Sequence, residues 1–102
     1  MYKKERKSNI PLHSNIPTID LHGEDRKTAE LLVKDFLNDL CKLKEEKGLI
    51  IHGIGTGILK KQVHEVLKKD KRIEKYYIDF FNIGCTVVEL KKNIWQKIQF
   101  ML

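Results

Sequence analysis

The sequence predicts an α/β domain, a two-layer β-α-β-α-β-β sandwich in which two helices cover one face of a four-stranded mixed sheet. Three observations lead to this prediction. Two short apolar runs each end at a histidine–glycine pair, each run is followed by apolar residues at helical spacing, and two β-branched runs close the pattern. The 102 residues suffice for one hydrophobic core and are too few for two.

The first predicted strand and helix differ in the period of their apolar residues. Ile19 and Leu21 alternate along the strand and are expected to be buried, while Asp20 and His22 are expected to be exposed. From residue 25 the period becomes that of an amphipathic helix, with apolar positions at Ala29, Leu32, Val33, Phe36, Leu37 and Leu40. Gly48, just past a basic segment, is expected to stop this helix.

The second strand and helix repeat the arrangement. Residues 49–51 are apolar at consecutive positions, as expected of a strand that is covered on both faces. A helix of about three turns is expected to follow, with apolar positions at Leu59, Val63, Val66 and Leu67. Right-handed crossovers make the first strands parallel.

The last predicted strands, residues 73–80 and 85–90, form a hairpin that adds an antiparallel strand. The domain is therefore expected over residues 18–90. Residues 1–17 are expected to be a flexible basic lead-in. Residues 91–102 are expected to form a tail, either a short helix packed on the domain or an apolar patch that meets a protein partner.

The composition excludes several classes of protein. Hydrophobic residues make up 41% of the chain and charged residues 33%, which is typical of a globular domain and not of a disordered chain. No apolar run approaches the roughly 20 residues of a membrane-spanning helix, and no secretory signal is expected. Cys41 and Cys85 form no spaced motif and are expected to be reduced thiols of a cytoplasmic protein.

The net charge of +6 favours polyanionic partners such as nucleic acid. Seven basic side chains and three acidic ones lie in residues 60–75. A lysine-rich surface also serves solubility, so the charge alone leaves the partner open. Four aromatic residues near the end of this segment can stack on bases: Tyr76, Tyr77, Phe80 and Phe81. Strand alternation implies that about half of them are core, and we expect most to be core.

A glycine-spaced loop, Gly-Ile-Gly-Thr-Gly at residues 53–57, lies between the second strand and the second helix. Glycine permits close approach of the backbone to a ligand, and the N–H groups of a helix start favour an anion. Glycine can also serve the tight turn alone. The residues expected to hold a phosphate are Gly53, Gly55, Thr56 and Gly57, with charge from Lys60 and Lys61.

The loop does not have the Gly-x-x-x-x-Gly-Lys-Ser/Thr spacing of a P-loop. It also lacks the complete dinucleotide fingerprint, because Ile58 stands where the last glycine is required. A mononucleotide-binding domain is therefore only a weak alternative for this loop.

His22 and His52 are the candidates for proton transfer. Asp20 lies on the same side of its strand as His22, where it can orient the ring and raise its basicity for acid–base work, or the pair can hold a divalent cation. His52 ends the second strand and is expected beside His22, although a histidine at a strand end is also a common structural hydrogen bonder. His64 is expected on a solvated basic face of the second helix.

Three segments resemble the Smr (small MutS-related) domain family. They are residues 19–23 (Ile-Asp-Leu-His-Gly), 51–60 (Ile-His-Gly-Ile-Gly-Thr-Gly-Ile-Leu-Lys) and 84–90 (Gly-Cys-Thr-Val-Val-Glu-Leu), and their order and separations agree with the family. The resemblance implies a fold similar to the C-terminal domain of bacterial translation initiation factor three. The sequence departs from the family where Lys60 replaces a frequent arginine, and where the approach to the last strand has few glycines.

The resemblance also implies a function. Asp20 and His22 match the functional Asp-Leu-His-Gly motif of the family, and His52 with the glycine loop forms the other half of the site. Several Smr domains nick DNA or cleave RNA, so we expect a free-standing, nucleic-acid-binding endonuclease; Mg²⁺ or Mn²⁺ is compatible with this activity, but the sequence fixes no ligand set. The alternative is a non-catalytic DNA- or RNA-binding module in repair or translation quality control.

Overall fold

The computed structural model describes residues 16–92, and its element order is the predicted one. The elements are β1 (Thr18–Asp20), α1 (Arg26–Lys42), β2 (Lys47–Ile51), α2 (Ile58–Lys69), β3 (Ile73–Ile78) and β4 (Cys85–Leu90). β1 pairs with β2 in parallel, and β4 lies between β2 and β3 and is antiparallel to both, which gives the sheet order β1-β2-β4-β3. The predicted fold class is confirmed.

The ends of the predicted domain are described only in part. Pro17, at the end of the predicted lead-in, is buried, and its carbonyl accepts a hydrogen bond of 2.9 Å from the Leu49 N–H. Residues 1–15 of the lead-in and residues 93–102, where the tail helix or partner patch is predicted, lie outside the described residues. Within residues 16–92, no helix is long and apolar enough to cross a membrane.

The main core lies between the helices and one face of the sheet. Both predicted helical stripes are buried in it, and alternate strand residues complete it: Ile19, Leu21, Ile50, Val88 and Leu90. The opposite face of the sheet carries a smaller cluster, Leu49, Cys85 and Val87, with Ile16 and Ile51 packed against it. Leu49 and Ile50 are therefore buried on opposite faces of β2, which explains its consecutive apolar residues.

Gly48 does not stop α1, contrary to the sequence prediction. The helix ends at Lys42, and Gly48 lies within β2. A Cβ atom at Gly48 would lie 2.8 Å from Leu40 Cδ1 and 2.9 Å from the ring of Phe36, so glycine is present because α1 approaches the strand closely here. Gly48 therefore meets a requirement of helix–strand packing and does not end the helix.

The phenylalanines that follow β3 are not core residues. β3 ends at Ile78, so strand alternation no longer applies to Phe80 and Phe81, which are 88% and 71% exposed. Tyr76 is half-buried against the core, and Tyr77 is partly exposed, with its hydroxyl donating to a Glu89 carboxylate oxygen at 2.7 Å. The prediction that most of these aromatic residues are buried is therefore wrong for the two phenylalanines.

Candidate functional site

A cleft of about 630 Å³ lies at the edge of the sheet where β1 and β2 end, and it is lined by residues 22–26 and 52–60. Parallel strands bring their carboxyl ends to the same edge, so the two histidine–glycine pairs meet there. A Cβ atom built on Gly53 would lie 3.7 Å from His22 Cβ, which shows how closely His22 approaches the glycine loop. The structure thus brings His22 and the loop together.

Asp20 fixes the His22 ring. One carboxylate oxygen, Oδ1, accepts from the His22 backbone N–H at 3.1 Å and bonds Nδ1 of the ring at 2.8 Å. Because an ionised carboxylate can only accept, Nδ1 carries the proton, and the lone pair of the neutral ring lies on Nε2. The His22 side chain is 74% exposed. The cleft therefore contains a solvent-exposed imidazole with a defined tautomer.

The glycine loop leads directly into α2. Within the described residues, no side chain closely caps the N-terminus of this helix. Gly53 and Gly57 both have φ of +84°, which favours glycine, and Gly57 is the N-cap of α2. The Ile58 N–H reaches the Thr56 hydroxyl only at 3.4 Å. The first-turn N–H groups of α2 and the positive end of its dipole therefore suit an anion in the cleft.

The segment before α1 and the first residue of α1 bring both charges to the cleft. Glu24, Asp25 and Arg26 line it, and Asp25 caps α1 by accepting from the Thr28 N–H at 2.7 Å. This hydrogen bond lowers the pKa of Asp25. At the start of α2, Lys60 supplies further positive charge for an anionic ligand.

The basic segment is divided between two places. Lys60 lines the cleft, and Lys61 is exposed beside it. Lys68 is exposed at the other end of α2, roughly 12 Å along the helix axis. Arg72 is engaged elsewhere, since it bonds Asp70 at 2.7 Å and the Asn38 side chain at 2.9 Å. Only the start of the predicted basic cluster therefore faces the cleft.

His52 lies in the wall of the cleft with both ring nitrogens engaged. The register pairs Asp20 with Ile51, so His22 is level with Gly53 and not beside His52 as predicted. His52 is only 4% exposed, and its Nδ1 donates to the Gly53 carbonyl at 2.9 Å. Its Nε2 bonds the Thr86 hydroxyl at 2.8 Å. Its contacts hold the first residue of the glycine loop.

His64 and Thr86 complete a network that sequence reasoning missed. His64 is half-buried against the sheet, with its Nε2 2.8 Å from the Thr86 hydroxyl, so the prediction of a solvated His64 is wrong. Since His52 Nδ1 donates to a carbonyl, neutral His52 accepts from the Thr86 O–H, and Thr86 accepts from His64. A signal was present: Thr86 is a polar residue on the strand face that otherwise carries Val88 and Leu90.

Burial lowers the pKa of both His52 and His64, because the charged ring is less well solvated there. The positive charge of Lys60 lowers both pKa values further, and His52 lowers that of His64. The hydrogen bond to the Gly53 carbonyl opposes the effect at His52. Both rings therefore favour the neutral form.

The free energy of unfolding is expected to decrease as the pH falls below about 6.5. There the unfolded chain binds protons at His52 and His64 that the folded chain does not, so stability rises with pH. The slope is up to about 1.4 kcal/mol per pH unit for each histidine. Urea denaturation between about pH 8 and pH 5.5 measures it. The His64→Gln variant should show a shallower slope, and an unchanged slope would contradict the assignment.

The described residues contain no preassembled cluster of metal ligands. Within residues 16–92, no group of three or more His, Cys, Asp or Glu side chains could hold a metal ion. Asp20 and His22 form a pair in this part of the chain, and Mg²⁺ is commonly held by one or two carboxylates together with waters and substrate phosphates. The roles proposed for the side chains of the cleft do not depend on a metal ion.

The fold and cleft define a two-layer α/β domain whose sheet edge suits a phosphate group. The Smr domain family matches residues 19–91, and the chain belongs to this family. It is 40% identical to endonuclease MutS2 of Thermotoga maritima over 97 residues, which cover 87% of this chain and 13% of that protein. It is 32% identical to endonuclease MutS2 of Clostridium novyi over 92 residues, covering 87% of this chain and 12% of that protein. The chain thus spans only a small part of the length of these relatives.

Two solved structures are similar to this fold. The Smr domain of Thermus thermophilus MutS2 superposes with a TM-score of 0.70 at 32% identity, covering 72% of this chain and 96% of that one. YdaL of Escherichia coli, a stand-alone small MutS-related protein, superposes with a TM-score of 0.72 at 17% identity, covering 90% of this chain and 82% of that one. The second similarity supports the fold alone.

Proposed function

We propose that this chain binds nucleic acid and hydrolyses a phosphodiester bond in it, as an endonuclease that nicks DNA or cleaves RNA. The observation that supports this proposal is the Asp20–His22 pair beside the glycine loop in one cleft. A phosphate bound to the loop would have its ester oxygens next to an imidazole of defined tautomer. The relatives named endonuclease MutS2 agree with this activity.

The proposed roles follow from the chemistry of each group. Phosphate oxygens accept from the N–H groups of residues 53–57, and Lys60 and Lys61 offset the negative charge. His22 Nε2 takes a proton from the attacking water as the new P–O bond forms. The bond to the leaving oxygen breaks, and that oxygen takes up a proton from the imidazolium or from water. Asp20 orients the ring and stabilises its charged form.

His52 is assigned a positioning role. Its buried ring bonds the Gly53 carbonyl and the Thr86 hydroxyl, so neither nitrogen is available to a substrate in this arrangement. Of the two histidines that line the cleft, His22 is therefore the proposed proton-transfer group.

Binding without cleavage is the second candidate function, as a module for DNA repair or translation quality control. It is favoured by the engagement of both ring nitrogens of His52. Such a module would use the same loop and lysines to hold the backbone.

One assay separates the two functions. Purified protein is incubated with supercoiled plasmid and with structured RNA, each with and without Mg²⁺ or Mn²⁺. Cleavage that Asp20→Ala and His22→Ala both abolish supports the endonuclease. Retention of either polymer with no cleavage under any condition supports the binding module. Thermal stabilisation by a nucleotide without polymer binding would instead support a mononucleotide site.

Replacing Lys60 and Lys61 with neutral residues is expected to weaken nucleic-acid binding in proportion to the number of phosphates that these lysines contact. In the Lys60→Gln/Lys61→Gln variant, the slope of log K against log salt should become shallower by about 0.7–0.9 for each lost phosphate contact. Fluorescence anisotropy titrations over a range of salt concentrations measure the slope. Lys68→Gln removes an exposed charge at the far end of α2 and serves as the control. An equal effect of Lys68→Gln would show that only total charge matters.

A further inference from the structure

The loop between β3 and β4 exposes two aromatic side chains to solvent. Phe80 is 88% exposed and Phe81 is 71% exposed, and their rings meet edge to face with centroids 5.0 Å apart. Ile83 in the same loop is 62% exposed. Apolar side chains that are exposed and contiguous are a feature of interaction sites. We call the pair Phe80 and Phe81 the aromatic pair.

The loop that carries the aromatic pair is attached to the glycine loop. The Gly84 carbonyl accepts from the N–H groups of both His52 and Gly53 at 2.9 Å each. A Cβ atom at Gly84 would lie 3.3 Å from the Gly53 carbonyl carbon, so the two loops are in direct contact. Phe81 is three residues from Gly84, and its Cα atom lies at most about 11 Å from that of Gly84. The aromatic pair is therefore within a few nucleotides' reach of a phosphate in the cleft.

The chemistry of the two loops suggests one kind of partner. The cleft combines backbone N–H groups with Lys60, which suits a phosphate, and the adjoining loop presents aromatic rings, which suit a base. Bases stacked within a duplex expose only their edges, whereas unpaired bases expose their faces to aromatic side chains.

We propose that the aromatic pair is a stacking platform for unpaired bases of the nucleic acid whose backbone occupies the cleft. The substrate class is therefore single-stranded or locally unpaired DNA or RNA. This inference rests on the proposed nucleic-acid binding.

The test compares three labelled polymers of equal length by fluorescence anisotropy: a single strand with its bases, the same strand with abasic sites, and a duplex. The wild type is expected to bind the natural single strand at least about fivefold more tightly than the abasic strand. The Phe80→Leu/Phe81→Leu variant keeps apolar surface but has no aromatic face, so it should lose most of this preference and bind the abasic strand as the wild type does. The Phe80→Tyr/Phe81→Tyr variant should retain the preference.

The controls separate this inference from the proposed function. Leu43 follows the C-terminal end of α1, whereas the N-terminal end of this helix lines the cleft. Leu43→Ala shortens a side chain that is 57% exposed, and it should not change the affinity for any of the polymers. Lys60→Gln/Lys61→Gln should weaken binding of all three polymers. The stacking platform is overturned if the wild type binds natural and abasic strands equally, or if the leucine variant keeps the preference. Either result leaves nucleic-acid binding intact and leaves the aromatic pair as a surface for a protein. Failure of the wild type to bind any polymer at low salt overturns both proposals.

Discussion

The His22→Ala variant is expected to cleave nucleic acid about 10²–10⁴-fold more slowly than the wild type, the range typical for loss of a general acid–base group. The reason is that His22 is the histidine of the cleft whose ring is exposed and oriented by a carboxylate. Because the side chain is 74% exposed, its removal should change the free energy of unfolding by less than about 0.5 kcal/mol. Initial rates of plasmid nicking and RNA cleavage, measured beside urea denaturation, test both parts.

Two further variants sharpen this test. Asp20→Asn keeps the size of the side chain but removes its charge, so it should slow cleavage while substrate affinity is retained. His64→Gln removes an imidazole behind the cleft wall, and at pH 8 it should cost stability more than rate. Cleavage by His22→Ala at the wild-type rate would refute the proposed role, and a rate that falls equally in His64→Gln would point to loss of folding instead.

Thr86→Val is expected to destabilise the fold by about 1–3 kcal/mol, with a smaller additional cost at half-buried His64. Valine has nearly the same shape and suits a strand, so packing is kept. The substitution removes the hydroxyl that bonds His52 Nε2 and His64 Nε2 at 2.8 Å each. The His52 nitrogen is then buried without a donor, which costs its desolvation. Urea denaturation at pH 8 measures the loss.

Thr86→Ser is the matched control, since it keeps the hydroxyl and removes one methyl group. It should lose less stability than Thr86→Val if the hydrogen bonds matter. A valine variant as stable as the serine variant would mean that the two rings find other partners. The valine variant should also show weaker phosphate-dependent binding, because His52 then holds the Gly53 carbonyl less firmly.

Much of the fold could be predicted because local periodicity reports burial directly. The alternation of Ile19 and Leu21 and the apolar stripes of both helices predict residues that lie in the main core. The predicted parallel β1–β2 pair also explains why His22 and the glycine loop meet at one edge. The apolar periodicity depends only on residues within one helix or strand. The parallel pairing of β1 and β2 follows from the right-handedness of crossover connections.

The candidate site was predicted only in part. Asp20, His22 and the glycine loop are grouped as expected, and their roles stay predictions. His52 was predicted to lie beside His22 as a second candidate for proton transfer, but its ring contacts Gly53 and Thr86. Thr86 is separated from His52 by 34 positions in the chain, and no local pattern encodes such a contact.

The amino-acid sequence predicts the order of the elements, the buried face of each, and the residues that follow each parallel strand. It does not predict which residues meet across the sheet: Gly48 beneath α1, Thr86 between two histidines, and the loop carrying Phe80 against the glycine loop. Burial along one helix or strand is predictable because it repeats with the period of the backbone. Contacts between elements depend instead on register and strand order, which are set when the whole core packs.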